Sequence, residues 1–291
     1  RVILPLYVAD AFTNKPFKGN SAAVCLLPFP EAVSKETKQE IAAEMNLSET
    51  AFLTRLGEDT FDNGNKFGLE WFTPTCEVNL CGHATLASSA VLFFALNNKS
   101  EIIEFETLSG TLKAKRLNDN KIQIDLPAYN STSVKGKFDK LVKAVVGSLP
   151  VEDVVLSESK KLLIRLCNEV NRQEFESFKN NANELLSASS EVVGVIVTLE
   201  AKDKFDCKDD AGNQYDFISR YFAPWLGVAE DPVTGSAHSV LAPYWSKTLQ
   251  QNSFYARQCS ARGGDLNMKL VDDRVHISGN AVVVIQGQIN F

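Results

Sequence analysis

Short apolar runs dominate the chain. They cover residues 2–8, 22–27, 51–55, 67–72, 102–106, 121–126, 162–167, 194–199 and 282–286, and are rich in Val, Ile and Phe. Gly, Pro, Asn and Asp bound them, so they read as β-strands. Apolar positions at helical spacing are fewer, over 35–45, 82–96, 138–146, 173–186 and 236–249. Strands and helices do not alternate regularly, which predicts an α+β protein with mostly antiparallel or mixed sheets wrapped on a few helices.

Two stretches resemble each other. WFTPTCEVNLCGHATLASSAVLF (71–93) parallels YFAPWLGVAEDPVTGSAHSVLAPYW (221–245), and SGTLKAKRLNDNKIQID parallels GGDLNMKLVDDRVHIS. Phe72 and Pro74 match Phe222 and Pro224, Gly82 matches Gly235, and Gly110 matches Gly263. The offset is close to half the chain, so the expectation is two pseudo-symmetric halves, each a β-barrel-like mixed sheet around one helix. The halves are placed at 1–127 and 128–280, with 281–291 pairing back onto the first. GHATLASSAVLFFAL and GSAHSVLAPYW carry no charge, as expected of buried helices. Pro243 is expected to kink or end the first turns of the second.

Charge and cysteine usage narrow the partners. The net charge of −6 and the lack of any Lys/Arg run argue against nucleic acid. No apolar stretch reaches the roughly 18 residues of a membrane span, and RVILPLYVADAF reads as a strand rather than a leader. Six cysteines at 25, 76, 81, 167, 207 and 259 do not have the spacing of a disulfide scaffold. Free thiols and a cytoplasmic location are expected. Cys76 and Cys81 form one C-x4-C with no second pair, and only three histidines are present, so no metal site is expected.

Each central helix is predicted to begin with a glycine and a polar residue directly after a strand and loop: Gly82-His83 and Gly235-Ser236. A buried helix start leaves about four N–H groups unpaired and partly positive, which suits an anion. Ordinary capping is the other reading. Groups able to move protons lie nearby in sequence: Cys81, His83, Asp231, Thr234 and Ser236. Glu49, in NLSETAFL, stands at the boundary between a polar turn (Asn46, Ser48) and an apolar strand. The similar strand of the second half, EVVGVIVTL, has no acid near its centre.

The stretches DAFTNKPFKGNSAAV (10–24), NLSETAFL (46–53), FTPTCEVNLCGHAT (72–85) and YFAPWLGVAEDPVTGSAHSVL (221–241) resemble the PhzF (phenazine biosynthesis-like) family, its animal members above all. They spread over most of the chain. The resemblance implies the diaminopimelate epimerase-like fold, with a cleft between two similar domains. It also implies Glu49 as the acid/base residue, with His83 and Asp231 completing the catalytic set. Asn20, Ser48, Cys81, Gly82, Thr234, Gly235 and Ser236 would then line the substrate site, the glycines and Ser236 through backbone N–H groups. A buried glutamate suits this role because desolvation raises a carboxyl pKa toward neutral. Epimerases of this superfold place a cysteine at both helix starts. Here Cys81 faces Thr234 in that pattern, and a threonine hydroxyl is too weak a base for symmetric two-base racemisation.

The expected function is therefore a cofactor-independent isomerase that moves a proton on a small carboxylate-bearing substrate. No P-loop or G-x-G-x-x-G occurs, and no cofactor is expected. Two alternatives stay open: a binding or regulatory protein with reduced chemistry on the same fold, or a Cys81-dependent dehydratase or epimerase. Family members are often homodimers, so a homodimer is expected; a protein partner is compatible with the second alternative.

Overall fold

The computed structural model describes residues 2–291. In chain order its elements are β1 (Ile3–Ala11), β2 (Asn20–Leu27), α1 (Lys35–Met45), β3 (Glu49–Arg55), β4 (Lys66–Phe72), β5 (Glu77–Val78), α2 (Gly82–Ala90), β6 (Ile102–Thr107), β7 (Gly110–Arg116), β8 (Lys121–Pro127), β9 (Ser131–Ser133), α3 (Asp139–Val146), β10 (Val151–Ser157), β11 (Lys161–Leu166), α4 (Arg172–Ser177), α5 (Ala182–Ala188), β12 (Gly194–Glu200), β13 (Phe217–Ala223), β14 (Val228–Asp231), α6 (Gly235–Leu249), β15 (Ser253–Gln258), β16 (Gly264–Val271) and β17 (Arg274–Asn290). The chain forms two compact units. One comprises Arg1–Leu126, Thr234–Ser236 and His276–Phe291; the other comprises Pro127–Val233 and Ala237–Val275.

In the first unit the strands close a mixed barrel of eight, in the order β17, β1, β2, β3, β4, β6, β7, β8 and back to β17. The β2–β3 and β4–β6 pairs are parallel, and β17–β1, β1–β2, β3–β4, β6–β7 and β7–β8 are antiparallel. The long last strand returns to the N-terminus, with Ile3 opposite Asn290 and Ala11 opposite Ala281. Helix α2 runs inside against β1, β2, β3 and β7, with all nine residues buried. Its small side chains let the sheet close around it. Its hydroxyls need no external partner: Thr85, Ser88 and Ser89 donate to the carbonyls of Cys81, Ala84 and Thr85 at 2.6–2.7 Å, the back-bonding expected of buried Ser and Thr in helices. Beyond Ala90 the helix widens to i→i+5 bonding over Val91–Ala95. The Arg116 guanidinium there donates to the Phe93 carbonyl, a cation placed at the negative helix end.

The second unit repeats the pairing sequence. β10–β11 is antiparallel, β11–β12 parallel, β12–β13 antiparallel, β13–β15 parallel and β15–β16 antiparallel, as in β1–β2, β2–β3, β3–β4, β4–β6 and β6–β7. Phe72 pairs with Thr50 and Phe222 with Val195, so the sequence repeat is also a repeat of register. Gly110 and Gly263 both take positive φ, +87° and +68°, at the turn into the last strand of each series. One sheet face packs on α3, α4 and α5 through Leu141, Val145, Phe175 and Leu185.

Helix α6 passes through Pro243 without ending. Proline cannot bond the Ser239 carbonyl, and the Tyr129 N–H takes that acceptor instead, at 2.9 Å. The expected break at Pro243 is corrected by this outside donor. The single helix expected over 173–186 is two: Phe178 leaves α4 in extended geometry, and the Asn181 side chain caps α5 by accepting from the Asn183 and Glu184 N–H groups. Periodicity ran through the gap because Phe175 and Leu185 are both buried on the same core.

Candidate active site

The site in the first unit is built on three chain reversals. Helix α1 ends on Asn46 in the left-handed conformation (φ +50°), its N–H bonded to the Ala42 carbonyl. Asparagine tolerates this region. The reversal brings Glu49 to the first position of β3, opposite Ala22 of β2. The loop between β1 and β2 is tied by buried Asp10, which accepts from the Phe17 N–H at 2.7 Å and from the Ser21 hydroxyl. Gly19 lets this loop close at φ +63°, where a Cβ would lie 2.1 Å from the Ala11 carbonyl oxygen. Buried Asn20 thus stands at the mouth of β2. The third reversal delivers Cys81 to the N-cap of α2.

These pieces meet at His83, the second residue of α2. Its Nδ1 lies 3.3 Å from Cys81 Sγ. Its Nε2 lies 3.3 Å from Ser48 Oγ and 3.3 Å from Glu49 Oε2. Ser48 donates its proton to Asn20 Oδ1 at 3.0 Å, so its oxygen is left to accept from the imidazole. The ring also hydrogen-bonds the Ser21 backbone, so His83 is held by Cys81, Ser48 and Ser21 together. Burial pushes the His83 pKa down to about 3, against a weaker opposing hydrogen bond to the Ser21 backbone. The ring is therefore neutral at pH 7, and its 3.3 Å approach to Glu49 is not an ion pair.

A neutral ring has a consequence for the thiol. A reactive thiolate beside histidine is stabilised by the imidazolium, and a pKa near 3 disfavours that partner. The Glu49 side chain is 15% exposed, more open than the buried ring beside it. It stands at the rim of the α2 start, whose N-cap Cys81 supplies no side-chain cap. The first-turn N–H groups there carry the partial positive charge of a helix start.

Gly82 and Gly235 touch. A Cβ on either would lie 2.8 Å from the other's α-carbon, so both glycines serve a backbone-to-backbone approach. Thr234 is buried and Ser236 partly exposed beside this contact. Asp231 lies in the second unit, at the last residue of β14, in register with Tyr221 and 7% exposed. Its backbone carbonyl accepts from Gln258 at 2.8 Å. Asn20, Ser48, Glu49, Cys81 and His83 thus form one connected group, and Gly82 and Gly235 a second contact. Sequence reasoning left Asp10 and Ser21 out of the site. The signal was present: an acid inside an otherwise apolar strand needs a partner.

Glu49, Cys81 and His83 each offer a ligand atom within 4.8 Å of the others. Carboxylate, thiolate and imidazole are zinc donors. The sequence drew attention to Cys76 and Cys81 instead, but Cys76 is exposed in the loop after β4. No disulfide joins the cysteines of the described residues, and no helix among them is long and apolar enough to cross a membrane.

A family model described as phenazine biosynthesis-like protein matches residues 9–287. The phenazine biosynthesis-like domain-containing protein of Homo sapiens is 47% identical, covering 98% of this chain and 99% of its own. An uncharacterized isomerase of Pseudomonas aeruginosa is 41% identical, covering 98% of each. Among solved structures, a phenazine biosynthesis protein of the PhzF family from Enterococcus faecalis superposes with a TM-score of 0.82 at 34% identity, covering 100% of both chains.

Proposed function

The chain belongs to the PhzC-PhzF family of phenazine biosynthesis-like proteins, and from that premise we propose a cofactor-independent isomerase that moves a proton between carbons of a small carboxylic acid. The fold is of the diaminopimelate epimerase-like kind, and a relative bears an isomerase name. Glu49 is the acid/base group. Its carboxylate removes a proton from a carbon next to a conjugated system, the electron pair passes into that system, and the same carboxyl returns the proton at another carbon. His83 stands 3.3 Å from Glu49 and stays uncharged, so it does not draw the proton away. Ser48, itself bonded to Asn20, orients the ring. The helix starts at Gly82, Gly235 and Ser236 bind substrate carboxylate through backbone N–H groups, with Cys81 and Thr234 lining that end. Asp231 is assigned to substrate contact and proton handling on the family pattern.

The observation that carries this reading is the 3.3 Å approach of Glu49 to a histidine whose ring burial keeps neutral. One observation favours a second reading, with Cys81 as the essential base: its Sγ lies 3.3 Å from His83 Nδ1. The low His83 pKa weighs against it. The test is incubation of the protein in D2O with a panel of small unsaturated and amino carboxylic acids, followed by mass spectrometry. Deuterium gained at carbon in an isomerised product supports the isomerase. A panel in which acids bind but neither exchange nor isomerise contradicts it.

A further inference from the structure

An acid inside an apolar strand is held by the donors that meet it. Asp10 is 1% exposed, and its strand neighbours Val8, Ala9 and Ala11 are buried as well. Its Oδ2 accepts from the Phe17 N–H at 2.7 Å and its Oδ1 from the Ser21 hydroxyl. One carboxylate thus clasps the loop between β1 and β2 at two points, and charged acceptors make the stronger hydrogen bonds. Asp10 and Ser21 are also register partners across the β1–β2 ladder.

The loop needs such a clasp. Phe12, Phe17 and Gly19 take positive φ, at +61°, +69° and +63°. Glycine adopts that region at little cost, whereas a bulky residue there is strained. Phe12 is buried, so packing holds it. Phe17 is 76% exposed, and packing gives it little support. Its N–H is the group that Asp10 accepts, so the bond falls where the backbone is strained and the core does not reach.

Three consecutive residues just beyond the loop each reach a part of the site. Asn20 accepts from Ser48, whose Oγ lies 3.3 Å from His83 Nε2. Ser21 bonds the His83 ring through its backbone. Ala22 pairs with Glu49 across the parallel β2–β3 step. We propose that Asp10 is a positioning residue: by fixing the start of β2 it sets the His83 ring against Glu49, 3.3 Å away. Its effect on turnover rests on the role of Glu49 as the proton-transfer group; its effect on the ring does not.

Asp10→Ala removes both acceptors. Ser21→Ala removes one donor at a half-buried position and keeps the backbone, so it decides the matter where Asp10→Ala does not fold. The first readout is NMR of histidine-labelled protein. The chain has three histidines, and His83→Gln identifies the ring signals of His83. Those signals should shift in Asp10→Ala and, by less, in Ser21→Ala. The second readout is turnover of the acid that the wild-type protein isomerises. There kcat should fall by up to about 10²-fold in Asp10→Ala, as a displacement of about 1 Å can cause, and several-fold in Ser21→Ala, with KM nearly unchanged. Asp10→Asn, whose amide can accept from Phe17 and donate to Ser21, should recover most of both. A lowered unfolding midpoint with wild-type ring signals and kcat in the folded variants assigns Asp10 to stability alone and overturns the proposal. A shifted ring with unchanged kcat overturns it too. If the wild-type protein isomerises no acid, the ring signals decide alone, so failure of the isomerase assignment is not mistaken for failure of this one.

Discussion

Gly82 and Gly235, the first residues of the two central helices, pack α-carbon against α-carbon: a Cβ on either would stand 2.8 Å from its neighbour's. Glycine at these positions reads from sequence as an opening for a ligand. The structure gives it a prior duty, because a side chain at either place collides with backbone, which cannot swing aside.

Gly82→Ala and Gly235→Ala should each destabilise the protein, by about 1–3 kcal/mol as overpacking changes do. Gly110→Ala offers a contrast. Its Cβ would meet nothing within 4 Å, and only its φ of +87° is strained. Urea unfolding of the three variants should therefore rank Gly110→Ala as the mildest. A Gly82→Ala protein with wild-type stability would contradict the packed contact.

His83 makes acid sensitivity predictable. Its folded pKa, about 3, lies below the ordinary value of 6.5. As pH falls from about 6.5 toward 3, the unfolded chain takes up the proton and the folded one does not. The stabilisation is complete above 6.5 and is lost on acidification, at up to about 1.4 kcal/mol per pH unit. His83→Gln should show a shallower loss between pH 6.5 and 4.5 in urea titrations. Parallel slopes for the two proteins would show that the ring is not buried neutral.

Thiol reactivity should follow burial. Burial pushes the Cys25 thiol up to about 12 and the Cys207 thiol to about 11, and raises Cys259 as well. Cys76 is exposed. A native titration with a neutral disulfide reagent should modify Cys76 first and leave Cys25, Cys207 and Cys259 for the denatured protein, where six thiols react in all. Fast native modification of Cys25 would contradict its burial against Ile41 and Ala42 of α1.

The fold was legible where one pattern had one solution. The uncharged runs after Gly82 and Gly235 could only be buried helices, and the Phe72/Phe222 match reported a shared register. The 173–186 segment misled because two short helices cover one core and keep the period across their break. Pro243 misled because the donor that replaces its missing bond, Tyr129, is remote in sequence. In the site, Glu49, Ser48, Cys81 and His83 were visible as motif residues. The neutral ring that ranks the acid above the thiol was not, since it depends on how completely the fold buries His83.

Glu49 is the centre of the functional account, and its amide variant tests it most directly. Glu49→Gln keeps the volume and removes the basicity, while Cys81→Ala removes the rival base. Both should remain folded, since neither opens a large cavity. The measurement is the rate of solvent deuterium incorporation at carbon, on the acid that the wild-type protein isomerises. Glu49→Gln should lower that rate by about 10²–10⁴-fold with little change in ligand affinity, and Cys81→Ala should be milder. Near wild-type exchange in Glu49→Gln, with exchange abolished in Cys81→Ala, would contradict the assignment.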